Sequence, residues 1–202
     1  MLKPLFFVKF ASERKFDFDI SDILAKLIYT RILDPSSKRS SFDIAQSYFE
    51  RTNFQLHAVY RALECLSNNS DTFQEWVYKE SKRLIKRQDK ILFYDCTNYF
   101  FEVKKASGLK QYGASKEQRP LPVVQMGLFL DASSLPLAFS INSGNTNEQT
   151  TLKPLTKQIL NDFKLAKFVV CTDAGLSSLE NRQFNSLIAR AIITTQSIKK
   201  LK

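Results

Sequence analysis

The 202-residue sequence has few of the residues that most often mark a metal centre or an exported protein: three cysteines, one histidine and no long apolar run. Cys65, Cys96 and Cys171 form no C-x-x-C pair and leave an odd number, which suggests neither a zinc ribbon nor a disulfide framework and suits a reducing cytosol. His57 has no partner at ligand spacing and falls on the polar side of a helical stretch, so it is read as a surface residue. The early apolar run at 5–8 is too short for a signal peptide, and nothing approaches a membrane span. The expectation is a soluble, cytoplasmic protein with no membrane partner. Internal repeats and low-complexity tracts are also absent.

What is present is aromatic and basic. Hydrophobic residues make up 44% and aromatics 12%, enough for a core and for one or two domains. A net charge of +10 favours polyanions such as nucleic acid, although many basic proteins bind none.

Residues 1–89 read as a helical region. Ile20, Ile23, Leu24, Leu27, Ile28 and Ile32 recur at the helical period, with Asp19 or Ser21 as cap and Pro35 as stop. A second helix is expected over 40–50, and a third carries Leu56, Val59, Tyr60, Leu63 and Leu66 after a cap at Asn53. The fourth opens on Asp71 and Gln74 in a capping-box-like arrangement and buries Phe73, Trp76, Val77 and Leu84. It ends in Lys82, Arg83, Lys86 and Arg87, read as a solvated basic face that complements the helix dipole.

Residues 90–202 change period and are read as a separate domain. Strands are expected at 91–101, 123–130 and 137–142, the last two joined by a turn at Asp131-Ala132-Ser133-Ser134. A helix over 148–163, a strand at 168–172, a short helix at 179–187 and a strand at 191–195 complete a β-β-β-α-β-α-β order. Three meandering strands followed by crossovers make a mixed sheet with flanking helices, the order of the ribonuclease-H-like fold. In it the first and fourth strands lie side by side and parallel.

On those two strands stand Asp95 and Asp173, each interrupting or ending an apolar run. A carboxylate there is costly to bury unpaired, so each must be solvated, paired or metal-bound. Either alone reads as a cap of the strand-to-loop transition. As a pair on neighbouring strands, they suit hard cations, Mg²⁺ or Mn²⁺, which take oxygen ligands and support in-line phosphoryl displacement. The polar segment 104–122 joins strands that a short turn could join, and its Lys116 and Arg119 are candidate phosphate contacts. Arg182, on the helix after Asp173, is a third. For each, a solvated surface role is the bland alternative.

The run from Tyr94 to Glu102, Tyr-Asp-Cys-Thr-Asn-Tyr-Phe-Phe-Glu, is followed by Gly-Ala-Ser-Lys-Glu-Gln-Arg-Pro from Gly113 and by Val-Gln-Met-Gly-Leu from Val124. Then come Ser-Gly-Asn-Thr-Asn-Glu from Ser143, with Thr151-Leu152, and Thr-Asp-Ala-Gly-Leu-Ser-Ser from Thr172, with Asn181, Arg182 and Asn185. Together they resemble bacterial insertion-sequence transposases of the DDE class over about residues 91–187, with a weaker match around 31–37. The resemblance implies a retroviral-integrase-like fold, DNA (transposon ends and target) as partner, a nucleoid-associated cytoplasmic setting, and a homo-oligomer or an intact transposase as a further partner. It places Asp95 and Asp173 on the two aspartate positions of a site that binds Mg²⁺ through two aspartates and a glutamate. It puts that glutamate beyond the last strand, where this chain has none, so a truncated or decayed chain lacking the third carboxylate of a two-metal site is expected. Glu102, Glu148 and Glu180 are poorly placed by topology to replace it. Two alternatives stand beside this reading. One is a non-catalytic, DNA-binding transposase remnant. The other is a haloacid-dehalogenase-type phosphohydrolase, which wants an Asp where this chain has Thr97.

Overall fold

The computed structural model describes residues 17–48 and 52–196; the apolar run at 5–8 and the expected end of the second helix at 49–50 lie outside them. The chain divides into two compact units, Met1–Trp76 and Val77–Lys202. The division falls inside a helix, upstream of the change of sequence period at residue 90.

In the first unit, α1 (Ile20–Leu33) is capped by Asp19, whose carboxylate accepts from the N–H groups of Ser21 and Asp22. Its buried side chains are Ile20, Ile23, Leu24 and Leu27, joined by Lys26 and Thr30. Ile28 and Ile32, expected in the core, are exposed, because the inward stripe turns through Thr30 instead. Thr30 tolerates burial by donating its hydroxyl to the Leu27 carbonyl at 3.0 Å. Ser37 caps α2 (Lys38–Gln46) through the Ser40 N–H. The third helix, α3 (Leu56–Asn68), begins after Gln55 without a side-chain cap, so Asn53 does not play the role its sequence position suggested. Ala58, Val59, Ala62 and Cys65 of α3 pack with Phe54 and the α1 stripe in one cluster.

Helix α4 (Ser70–Leu84) carries the boundary between the units. Its opening contact runs from Gln74 Nε2 to Ser70 Oγ rather than through Asp71. Val77 and Leu84 are exposed, against expectation. The buried position in that stretch is Tyr78, whose ring stacks on Phe163 at 5.1 Å between centroids and whose hydroxyl donates to Asp89 at 2.5 Å. Burial and the adjoining Asp89 carboxylate push the Tyr78 phenol well above its ordinary range.

The second unit is built on one five-stranded sheet in the order β3-β2-β1-β4-β5. Its strands are β1 (Ile91–Phe100), β2 (Val123–Asp131), β3 (Pro136–Ser143), β4 (Val169–Thr172) and β5 (Ala191–Thr194). β1 pairs antiparallel with β2 and parallel with β4, β2 pairs antiparallel with β3, and β4 pairs parallel with β5. With α5 (Leu152–Asn161) before β4 and α6 (Leu179–Asn185) before β5, this is the ribonuclease-H-like order expected from the sequence. A 3₁₀ turn at Glu148–Thr150 precedes α5 where continuous helix was expected, its Asn147 side chain accepting from the Gln149 N–H.

The two faces of the sheet differ. Leu92, Tyr94 and Cys96 of β1 point into a core shared with Phe129, Val170 and the α5 residues Leu152, Leu155 and Ile159. Within it, the Tyr94 hydroxyl lies 2.6 Å from Thr151 Oγ1 and accepts a weak contact from Cys96 Sγ. The strand has room for that hydroxyl only because position 127 is glycine: a Cβ there would lie 2.2 Å from the Tyr94 oxygen. On the opposite face the alternate residues are open, with Phe93 48% and Ile193 62% exposed.

The basic run at the end of α4 departs from the expectation at one residue. Arg87 is not on a solvated face but in the interior: its side chain is 3% exposed, and its Nε lies 2.5 Å from Asp131 Oδ2, itself 0% exposed. The remaining guanidinium donors reach Ser81 Oγ and the Leu135 and Pro136 carbonyls. Asp131, expected only as a hairpin residue, also accepts the N–H groups of Ser133 and Leu135. Burial alone would raise the Asp131 carboxyl; the Leu135 N–H, the Arg87 guanidinium and the Ser133 N–H outweigh it and hold the group below its ordinary range.

Candidate metal and nucleic-acid site

Asp95 stands midway along β1, opposite Leu128, between the inward-facing Tyr94 and Cys96. The alternation of the strand therefore sends it to the open face, where its side chain is 75% exposed. Asp173 follows the last residue of β4. Paired positions of β1 and β4 differ by 78 throughout, from Ile91 with Val169 to Phe93 with Cys171, and Asp95 and Asp173 differ by 78 as well. The pairing itself ends at Phe93 with Cys171, and Asp173 lies just past β4, so Asp95 stands on β1 and Asp173 at the carboxyl end of the adjacent parallel strand. Both line an open cleft of about 680 Å³, floored by Phe93, Leu128, Cys171 and Ile193.

Each carboxylate is oriented by the backbone. Asp95 Oδ1 accepts from the Cys96 N–H at 2.8 Å. Asp173 Oδ1 accepts from the Leu176 N–H at 3.2 Å and so caps a 3₁₀ turn, Ala174–Leu176. That turn is held from behind by Asn181, fully buried, whose amide donates to the Gln149 and Leu176 carbonyls. Thr194 of β5 donates to the Asp173 carbonyl. In the sequence Asn181 stood out only as part of the motif it shares with Arg182 and Asn185. Its job is to brace the Asp173 turn, and Asn185 supports it by donating to the Asn181 carbonyl.

The donor chemistry fits a hard divalent cation. Two carboxylates lining one open cleft offer oxygen ligands, with room for water or phosphate oxygens to complete the shell. Cys171 shares the face, and burial pushes its thiol up. No group of three or more potential ligands from His, Cys, Asp and Glu is present among the described residues. Glu180 is engaged with Lys153 at 2.6 Å, Glu148 opens the 3₁₀ turn before α5, and Glu102 lies past the end of β1.

The segment between β1 and β2 is not a featureless loop. Ser107 and Lys110 form a small bridge, and Gln111 pairs with Val123. Gly144 passes so close that a Cβ on it would lie 2.0 Å from the Val123 carbonyl oxygen. Asn98, not singled out by the sequence, docks the segment onto β1: its amide donates to the Ala114 carbonyl at 2.8 Å and accepts from the Lys116 N–H. Lys116 is thereby brought to the site, its Nζ 3.9 Å from Asp95 Oδ1 while donating to the Cys96 carbonyl. Arg119 is placed elsewhere, over the Phe100 ring at 4.2 Å and paired with Glu117. Arg182 is exposed on α6 and is not part of the cleft lining.

No family model and no curated protein sequence matches the chain. Among solved structures it is similar to a piggyBac transposase in a synaptic complex with hairpin DNA, at 12% identity, covering 96% of this chain and 47% of that one, with a TM-score of 0.46. It is also similar to Mos1 transposase in a paired-end complex with the left transposon end, at 13% identity over 89% of this chain and 59% of that one, TM-score 0.36. A third is the catalytic domain of Mos1 mariner transposase, at 12% identity over 63% and 59%, TM-score 0.36. The chain spans roughly half to three fifths of the lengths of these structures.

Proposed function

We propose that this chain carries the two-aspartate half of a DNA transposase site of the bacterial insertion-sequence type, binding Mg²⁺ or Mn²⁺ through Asp95 and Asp173 and acting on DNA. The observation that supports the reading is that both aspartates line one open cleft, Asp95 from β1 and Asp173 from the end of the adjacent parallel strand β4. Ligands gather at the carboxyl ends of parallel strands in α/β sheets, and Asp173 stands at such an end. A bound divalent cation would supply charge neutralisation at a phosphate and a competent oxygen nucleophile at neutral pH.

The chain's own groups divide the remaining work. The Cys96 and Leu176 N–H groups each hold one oxygen of a carboxylate. Lys116 compensates the Asp95 charge and stands ready to take a phosphate oxygen as a point charge. Arg119 and Arg182 lie farther out, as contacts to flanking phosphates. No third carboxylate joins the pair among the described residues, so complete strand transfer calls for an oxygen ligand from outside them.

Mn²⁺ titration followed by water-proton relaxation tests the reading directly. Binding is expected in the unaltered chain and is lost in both Asp95→Asn and Asp173→Asn. Unchanged Mn²⁺ binding in either variant refutes it. Nicking of supercoiled DNA with Mn²⁺ separates a cutting enzyme from a DNA-binding remnant: activity lost in Asp95→Asn supports the former. DNA binding with no nicking in the unaltered chain leaves the latter.

A further inference from the structure

Past Asp95, β1 presents Thr97 and then Tyr99 at alternate positions, and the side of the strand that holds the carboxylate continues to an aromatic ring. Tyr99 is 52% exposed, and its hydroxyl has no partner among the described residues. Phe101, the next alternate residue, is also exposed and carries Lys110 Nζ 5.6 Å from its ring centroid. Residues 102–119 hold five cations, Lys104, Lys105, Lys110, Lys116 and Arg119, against Glu102 and Glu117. An exposed tyrosine inside an apolar patch would suggest a protein partner. Here the ring lies outside the cleft lining, on the strand that carries Asp95 and two residues before Phe101, which Lys110 covers.

We propose that Tyr99 is a stacking platform for an unpaired base of the DNA strand whose phosphate lies at Asp95. The inference rests on the DNA-acting reading above and adds the form of DNA the site takes: a strand that is single or splayed near the reacting phosphate. Tyr99 lies four positions along β1 from Asp95, about 13 Å at the rise of a strand. That is the length of about four stacked nucleotides at about 3.4 Å each, and of fewer in a splayed strand. Base-on-aromatic stacking is sequence-tolerant because every base has a π face, and nearby cations track the backbone. Tyr99 would therefore set how far the strand must open rather than which sequence is read.

The test uses the full chain, in EDTA so that metal plays no part, and a fluorescein-labelled oligothymidine strand of about a dozen nucleotides. Anisotropy should show Tyr99→Ala and Tyr99→Leu binding roughly five- to a hundredfold more weakly, while Tyr99→Phe keeps the affinity. The exposed position leaves folding intact, which thermal melts of each variant verify. A strand carrying iodouracil should cross-link to Tyr99 on irradiation. Equal affinity in all three variants, cross-links mapping wholly elsewhere, or absence of strand binding overturns the proposal. Aspartate-dependent Mn²⁺ binding alongside Tyr99-insensitive strand binding defeats the platform alone. Tyr99-dependent strand binding without Mn²⁺ binding defeats the metal reading alone.

Discussion

Replacing Arg87 by Met tests whether the sheet that presents the aspartates is anchored by one interior ion pair. Asp131 is 0% exposed and would keep the Ser133 and Leu135 N–H bonds, but it would lose its only charged partner among the described residues. Breaking a buried pair by removing one partner costs about 3–5 kcal/mol. The two retained backbone bonds place the expected cost near the lower end, about 3 kcal/mol, a large share of the 5–15 kcal/mol typical of a folded domain. Arg87→Lys should recover little of it, because a single ammonium cannot reach Asp131, Ser81 and two carbonyls together. Urea denaturation, with the Arg87→Met/Asp131→Asn double variant closing a thermodynamic cycle, measures the coupling. The pH dependence adds a sign. The folded-state pKa of Asp131 is depressed, so its stabilisation is complete above the ordinary carboxylate pKa of about 3.9 and fades as pH falls through that value toward the folded one. Arg87→Met should flatten that acid slope. A loss under about 1 kcal/mol with an unchanged slope would refute the assignment of Arg87–Asp131 as an interior anchor.

Gly127→Ala should destabilise by about 1–3 kcal/mol through the clash with the Tyr94 hydroxyl, and Tyr94→Phe in the same chain should restore part of the loss in thermal melts. Asp173→Ala should cost about 1 kcal/mol of stability by removing a cap, whereas Asp173→Asn keeps the cap and loses only Mn²⁺ affinity, so the two variants separate structure from ligation. Asn181→Leu should leave the Gln149 and Leu176 carbonyls unpaired, costing about 2 kcal/mol and weakening Mn²⁺ binding through the loosened Asp173 turn; equal Mn²⁺ affinity would show the brace to be unnecessary. Lys116→Ala should reduce the salt slope of DNA binding by about one phosphate contact with little change in stability, and an unchanged slope would remove Lys116 from the interface.

Local chemistry carried much of this structure. The alternation of Ile91 to Phe100, the turn residues at Asp131 and the helical spacing before β4 were enough to write the element order, because strand and helix periods depend only on neighbours in sequence. They also put Asp95 and Asp173 at acidic breaks in apolar strands. Side-chain partners distant in sequence were not legible. Arg87 looked like the last of four solvated cations, yet its guanidinium finds Asp131 across 44 positions. Ile28 and Ile32 fitted a periodic stripe that the packing of α1 left outside. Asn98 stood in the sequence only as part of the Tyr94–Glu102 run, since a polar residue on a strand acquires its docking role only when a loop 16 residues away folds back onto it.

The sequence by itself thus determined the strands, the helices and the two carboxylates, through local periodicity and the cost of burying charge. Tertiary structure decided that the two aspartates line one cleft, because the pairing of β1 with β4 is set by the packing of residues far apart in the chain. It also decided that Lys116 stands beside Asp95 while Arg119 and Arg182 do not, since a long loop takes its position from docking contacts rather than from its own composition.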